Sequence, residues 1–424
     1  MFRYPSALRS LRNDHATRKA TSVTQVRNWT TLTRTKDALT IHALKDTSFP
    51  YIWLRDSCQS EGCVHPSTSQ KLHRTSDIPL FIAPITDGVH VTPTGIDITW
   101  TDGHQSSFNQ NFLARHASAS KLAEWHHDDH LAEQSWTRES ISSTSNLFIP
   151  YDKLSTSSGL VDAITQLSKY GLLFVSGVPN KETSNEKCEL RKLAERFGEI
   201  RPTFYGLLWD VVNVRNSRNI AYTNLDLGLH MDLLYFQHPP RYQILHCLRN
   251  QVIGGTSIFV DALQAARVLR TTHPTDFEVL TKTPVSFHYV NDGHHLHREH
   301  STIELSSSTQ SPQPEISHIN YSPPFQAPLP LNTPKEFYPA FARFADLLND
   351  PKNTFEYTLR EGDAVVFDNR RALHARTAFN DKPGSENMED GEPNRWLKGC
   401  YLEADALVDR VRVLKTKLEK GLVE

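Results

Sequence analysis

Gly362-Asp363-Ala364-Val365-Val366-Phe367-Asp368-Asn369-Arg370-Arg371-Ala372-Leu373-His374-Ala375-Arg376 reads as a strand, a polar turn and a returning strand. Ala364 to Phe367 is a continuous apolar run of strand length, as a doubly buried strand requires. Asp368-Asn369-Arg370 turns the chain, and Ala372 to Arg376 returns in the manner of a hairpin. Outward from this stretch, Leu172–Ser176, Tyr242–Leu248, Ser257–Val260, Phe355–Leu359 and Arg395–Tyr401 repeat the strand signature. Amphipathic helical spacing covers Tyr151–Lys169 and Glu182–Phe197, and a last helix begins near Ala404. Helices do not alternate regularly with these strands. The pattern predicts an α+β chain with an antiparallel β core, not a doubly wound parallel sheet.

Upstream, Leu39–Ile41, Tyr51–Leu54, Val89–Val91 and Ile96–Trp100 read as short strands punctuated by Asp87-Gly88 and Asp102-Gly103. A polar helical region over 111–135 is followed by a Ser/Thr-rich stretch, which marks a domain boundary. The expected organisation is a small β-rich domain at 37–135 and a larger domain at 146–424. Residues 1–36 hold eight basic side chains and one acid, Asp14, among many Ser and Thr. That composition describes a mitochondrial transit peptide. The alternative, a tail whose charge is accidental, leaves a cytoplasmic protein.

The 424 residues carry 46 Lys+Arg against 48 Asp+Glu, a net charge of −2, which argues against a dedicated nucleic-acid binder. No apolar run reaches the ~20 residues of a membrane span. Five cysteines are too few for a disulfide scaffold. The 21 histidines raise the question of metal.

Two histidines and one carboxylate on one face suit a non-haem iron site, leaving positions open for co-substrate and oxygen. A His-x-Asp/Glu pair supplies two of them from one strand end, because alternate side chains leave the same face. Four such triplets occur, at His126, His127, His230 and His297. The first two lie in the polar cluster Trp125 to His130 and read as a solvated helical face. The fourth, in His294-His295-Leu296-His297-Arg298-Glu299-His300, reads as a surface loop. His230-Met231-Asp232 stands instead between Ala221-Tyr222-Thr223-Asn224 and a strand, Tyr242 to Cys247. His374 can approach as the third ligand, and Arg395 offers the two parallel hydrogen bonds that hold a carboxylate. Together His230, Asp232, His374 and Arg395 meet the needs of Fe(II) and 2-oxoglutarate.

At these residues the chain resembles the gamma-butyrobetaine dioxygenase and trimethyllysine dioxygenase family of 2-oxoglutarate-dependent oxygenases. The resemblance runs from about Ile41 to the C-terminus. Its marks are Trp53-Leu54-Arg55-Asp56-Ser57-Cys58, Thr203-Phe204-Tyr205-Gly206, Ala221-Tyr222-Thr223, His230-Met231-Asp232, His246-Cys247, Gly254-Gly255-Thr256-Ser257, Phe367-Asp368-Asn369-Arg370 and Leu373-His374. It implies a double-stranded β-helix (jelly-roll) catalytic domain, a zinc-binding N-terminal domain and a homodimer. It also implies ascorbate as reductant and O2 and a small molecule as substrates; the charge balance and the short apolar runs argue against nucleic acid and membrane as partners.

The resemblance carries further expectations, residue by residue. Cys58, Cys63 and His104 match zinc ligands, but Ser60 stands where another cysteine is expected, with His65 a candidate to replace it. Tyr205, Trp209 and Tyr222 match an aromatic cage for a trimethylammonium group, which makes no ordinary hydrogen bonds and is bound by ring faces. Asn219 favours gamma-butyrobetaine, whose hydroxylation gives L-carnitine in carnitine biosynthesis. Ser322 and Pro323 replace an expected Asn pair, which keeps trimethyllysine or another small or secondary-metabolite substrate as the alternative. Arg395, with Ser257, is expected to hold the distal carboxylate of 2-oxoglutarate.

Overall fold

The computed structural model describes Trp29 and residues 31–127, 132–213, 220–306, 314–382 and 393–423. Most of the basic N-terminal segment and Asn219 therefore lie outside the described residues. The chain divides between Trp125 and His126 into two compact units.

The smaller unit holds two three-stranded antiparallel sheets, Leu32–Arg34, Ala38–Ile41 and Thr47–Pro50, then Pro84–Thr92, Gly95–Trp100 and Gln105–Asn109. Alternation directs Leu39, Ile41, Ile96, Ile98 and Trp100 into one apolar cluster, where the Trp100 indole N–H donates to Ser106 Oγ at 2.9 Å. Tyr51 to Leu54 is not a strand. It belongs to a helix, Tyr51–Asp56, which buries Tyr51 and Leu54 at i, i+3 and leaves Ile52 outside.

The stretch after residue 131 packs into the larger unit, so the structural division precedes the composition shift. Trp136 is buried, and its backbone N–H donates to Asp261 Oδ2 at 2.9 Å.

In the larger unit the strands used below are β1 (Phe148–Pro150), β2 (Leu172–Ser176), β3 (Trp209–Val212), β4 (Leu227–His230), β5 (Tyr242–Asn250), β6 (Ser257–Asp261), β7 (Pro284–Asn291), β8 (His294–Ser301), β9 (Ile303–Leu305), β10 (Ile316–Ile319), β11 (Thr354–Tyr357), β12 (Ala364–Asp368), β13 (Ala372–Arg376) and β14 (Arg395–Leu402). The helices used below are α1 (Ser157–Tyr170), α2 (Glu189–Phe197), α3 (Ala262–Thr272) and α4 (Ala404–Glu419). One sheet runs β3-β14-β5-β12-β2-β1, and a second runs β4-β13-β6-β11. Apart from the parallel β1–β2 pair, neighbours on these two paths are antiparallel. Phe174 of β2 and Phe367 of β12 pack on Phe259 of β6, with ring centroids 5.7 and 5.5 Å apart, filling the layer between the sheets. This is the jelly-roll sandwich that the strand pattern and the resemblance led us to expect.

The opening stretch corrects one expectation. β12 and β13 do not form a hairpin; they belong to different sheets, and the polar turn carries the chain around the corner of the sandwich. Arg371 fixes that corner. Its guanidinium grips Asp261 through two hydrogen bonds of 3.0 and 2.9 Å, both side chains being buried, and its Nη1 donates to the Lys169 carbonyl at 2.7 Å. The His294–His300 run also differs from the loop expected: it forms β8, paired along its length with β7. Asp292-Gly293, both at positive φ, supplies the tight turn between them.

Candidate active site

β4 and β13 are antiparallel neighbours, and His230 and His374 are register partners across them. Their ring centroids stand 4.1 Å apart. Asp232, just beyond the end of β4, places Oδ1 3.5 Å from His230 Nε2. One donor atom from each of the three residues lies within 4.8 Å of the others. The sequence places these residues on strands more than 140 positions apart, and the sandwich brings them together.

The atoms around the triad are arranged for metal ligation. His230 Nδ1 lies 2.8 Å from the Gly228 carbonyl, which fixes the proton there and leaves Nε2 with its lone pair. His374 is nine-tenths buried, and its Nδ1 has no hydrogen-bond partner among the described residues. Burial and the neighbouring His230 push its pKa down to about 3, so the ring is neutral. Burial alone raises the Asp232 carboxyl. The nearby imidazoles of His230 and His374 and the Tyr401 hydroxyl outweigh that effect and hold it below the usual carboxylate range. Two imidazoles and one ionised carboxylate are the donor set that a divalent iron accepts, and a buried imidazole nitrogen without a partner is what ligation satisfies.

Two side chains outside the triad position Asp232. Tyr401 of β14 donates its phenolic O–H to Oδ2 at 2.9 Å. Asn369, on the corner turn, accepts from the Asp232 backbone N–H at 2.8 Å and donates to the Asp232 carbonyl at 2.9 Å. Tyr401 was absent from the sequence expectations, yet strand alternation from Arg395 through Leu397 reaches it on the same face.

Beside the triad, Ser257, Gln243, Arg376 and Arg395 share a pocket with Trp209 and Phe259. Arg395 is buried, and burial together with the adjacent Arg376 lowers its pKa to about 10. It lies over the Phe379 ring at 5.2 Å. Gly255 must lack a side chain here: its φ is +68°, and a Cβ would stand 3.0 Å from Arg395 Nε. Arg376 donates to three carbonyls, of Ala221 at 3.2 Å, Thr223 at 2.8 Å and Leu225 at 2.6 Å. It thereby ties the segment carrying Tyr222 to the sheet that carries His374.

His230 and Asp232 also line an adjoining aromatic pocket walled by Tyr205, Trp209, Tyr222, Tyr235, Phe325 and Tyr401. Tyr205 and Trp209 have ring centroids 6.4 Å apart, and Trp209 lies 5.2 Å from Tyr401. Tyr235 and Phe325 are additions to the expected set. The segment matched to a second amide does not reach this wall: Asn320 donates to the Ser301 carbonyl at 2.8 Å and to Glu304 at 2.9 Å. Ser322 is buried, and Phe325 faces the pocket in its place.

In the smaller unit Cys58, Cys63 and His104 also cluster. Their sulfurs lie 3.2 and 3.4 Å from His104 Nε2, and Ser60 Oγ lies 3.3 Å from Cys58 Sγ. His65 does not join them; its ring faces Ser67 Oγ at 3.2 Å. Burial lowers the His104 pKa, which keeps the ring neutral and able to bind a metal.

Comparison with known proteins agrees with this architecture. Residues 139–401 match the Taurine catabolism dioxygenase TauD, TfdA family, and residues 31–114 match the gamma-butyrobetaine hydroxylase-like N-terminal family. The chain is 53% identical to Dioxygenase str8 of Strobilurus tenacellus over 93% of its own length and 92% of that protein. It is 30% identical to the mitochondrial trimethyllysine dioxygenase of Homo sapiens, covering 86% of this chain and 82% of that one. It is 28% identical to the gamma-butyrobetaine dioxygenase of Homo sapiens, covering 89% and 94%. This chain belongs to the TauD/TfdA dioxygenase family and is a 2-oxoglutarate-dependent dioxygenase.

Proposed function

We propose that the protein hydroxylates a small substrate seated in the aromatic pocket, with Fe(II) held by His230, Asp232 and His374. The observation that carries this reading is that His230 and Asp232 line both the aromatic pocket and the adjoining pocket that contains His374, Arg395 and Ser257. Fe(II), bound together with 2-oxoglutarate, supplies the oxygen activation that hydroxylates an unactivated C–H bond as 2-oxoglutarate becomes succinate and carbon dioxide. Arg395 pairs with the distal carboxylate, and Ser257 donates to it. Tyr401 and Asn369 keep the Asp232 carboxylate aimed, while the ring walls exclude water from the reacting carbon.

The aromatic wall suits a trimethylammonium group, and gamma-butyrobetaine, giving L-carnitine, is the substrate we propose first. One observation favours a second reading. Apart from Asp232, no charged side chain among the described residues walls the aromatic pocket, so nothing described there answers a substrate carboxylate. An uncharged, apolar secondary metabolite then takes its place, ahead of trimethyllysine, which also carries a carboxylate. A succinate-release assay with Fe(II), ascorbate and 2-oxoglutarate, run with each candidate and without substrate, decides. Coupled turnover on gamma-butyrobetaine supports the first choice; none on it, with turnover on another candidate, sinks it.

We further propose that Cys58, Cys63 and His104 hold zinc, and that the basic N-terminal segment directs mitochondrial import. One zinc per chain by elemental analysis is expected, and a reporter fused to residues 1–36 is expected in mitochondria. A zinc-free protein overturns the first, and a cytosolic reporter the second.

A further inference from the structure

A second cavity of about 600 Å³ opens in the larger unit. It shares no wall residue with the active-site pockets. Arg298 of β8, Glu304 of β9, His318 of β10, Arg370 of the corner turn and the start of α4 meet there.

Arg370 is 7% exposed, and its Nε is buried with no hydrogen-bond partner. Among the described residues its one side-chain ion pair is Nη2 to Glu304 Oε2, at a long 3.4 Å. Glu304 is already held by Asn320 Nδ2 at 2.9 Å and by His300 Nδ1 at 3.2 Å. Arg371, the next residue, shows what a satisfied buried guanidinium looks like in this fold, with a two-point carboxylate and carbonyl acceptors. A buried cation so loosely matched is costly unless an anion joins it.

The rest of the wall can accept an anion. α4 begins at Ala404, and its N-cap residue, Glu403, makes no side-chain capping bond, so the first N–H groups stay available. Arg298 is exposed on the rim. Most acids nearby are engaged: Glu299 accepts from Ser286 Oγ at 3.0 Å, and Glu403 pairs with Arg201 at 2.5 Å. Asp405 remains, in the first turn of α4. Arg241 is satisfied by Asp368 and Glu133, at 2.6 and 3.0 Å, and contributes field more than free donors.

We propose that this cleft is a binding site for a small oxyanion, a carboxylate or a phosphate, held between Arg370, Arg298 and the N-terminus of α4. The site touches the chemistry through one residue. Asn369, which grips the Asp232 backbone on both sides, is the neighbour of Arg370 in the same turn. An anion on Arg370 stiffens that turn. This coupling, unlike the binding itself, rests on Asp232 being an iron ligand.

The test is calorimetric titration of the full-length protein with inorganic phosphate and with acetate at constant ionic strength. It uses the wild type and the Arg298→Gln, Arg370→Gln and Arg395→Gln variants. Saturable wild-type binding is expected, weakened about tenfold or more by either cleft substitution, the loss of roughly one charge-assisted hydrogen bond. Arg395→Gln is expected to leave it intact. Tighter phosphate than acetate identifies a phosphate ester as the natural ligand, and the reverse identifies a carboxylic acid. Arg298 is exposed, so its variant folds even if Arg370→Gln does not. The proposal is overturned if wild type shows no saturable binding below about 10 mM, or if only Arg395→Gln abolishes it. Binding without any change in iron affinity removes the coupling and leaves the site.

Discussion

The hydroxyl of Tyr401 donates to Oδ2 of Asp232 at 2.9 Å, from a strand that enters the other sheet of the sandwich. The bond leaves Oδ1 as the oxygen turned toward His230. Removing the hydroxyl keeps the ring's packing against Trp209 and takes away only the aim. Tyr401→Phe is therefore expected to weaken Fe(II) affinity by about 10- to 100-fold, the usual scale for a group that orients a metal ligand. Iron titration of the anaerobic protein, with circular dichroism to verify the fold, checks it. Unchanged affinity would show that Asn369 alone suffices.

Arg376 makes a different kind of prediction. It ties Ala221, Thr223 and Leu225 to β13, and charged donors to carbonyls contribute about 1.5–3 kcal/mol each. Arg376→Gln releases the segment that carries Tyr222. The KM for the substrate is expected to rise about tenfold or more, with the KM for 2-oxoglutarate rising much less. An equal rise in both would place Arg376 on the co-substrate instead.

Gly399 lies under Trp209: a Cβ there would stand 2.3–2.6 Å from the indole carbons. Gly399→Ala must push the indole aside, which costs about 1–3 kcal/mol by overpacking and deforms the aromatic pocket. In a Trp209→Ala background the same methyl group is expected to cost almost nothing. A double-mutant cycle of urea midpoints measures the difference, and additive effects would refute the steric account.

His246 sets a pH dependence. It is fully buried on β5, and burial lowers its pKa to about 4. Between that value and the ordinary 6.5 the unfolded chain binds the extra proton, so stability rises with pH across this window. The His246 contribution is complete above pH 6.5, falls as pH drops toward 4, and is constant below. The full effect is about 3 kcal/mol at most. Urea midpoints at pH 4.5 and 7 should differ less in His246→Gln than in wild type; an identical difference would exclude His246 as the cause.

What could be read from the residues alone follows from how local each signal is. His230 and Asp232 share one strand end, so period-two alternation exposed them as a pair. His374 and Arg395 stood out by residue type on strand signatures. The corner at Asp368–Arg370 was misread as a hairpin because the difference lies in Asp261, more than 100 positions away, whose carboxylate Arg371 seeks. Tyr51–Leu54 was misread because four apolar residues fit either period, and burial at i, i+3 decides only in the folded unit. The oxyanion cleft had no signature at all: its walls come from five separate segments, none with a motif of its own.

The grip of Asn369 on Asp232 also dates the assembly of the site. The two residues are 137 positions apart, so during synthesis the His-x-Asp pair leaves the ribosome long before the turn that anchors it. Tyr401 emerges later still. A nascent or truncated chain ending before the corner has two of the three proposed iron ligands and neither support for the carboxylate. On that proposed ligation, a complete and supported iron site exists only once the corner turn and β14 have emerged.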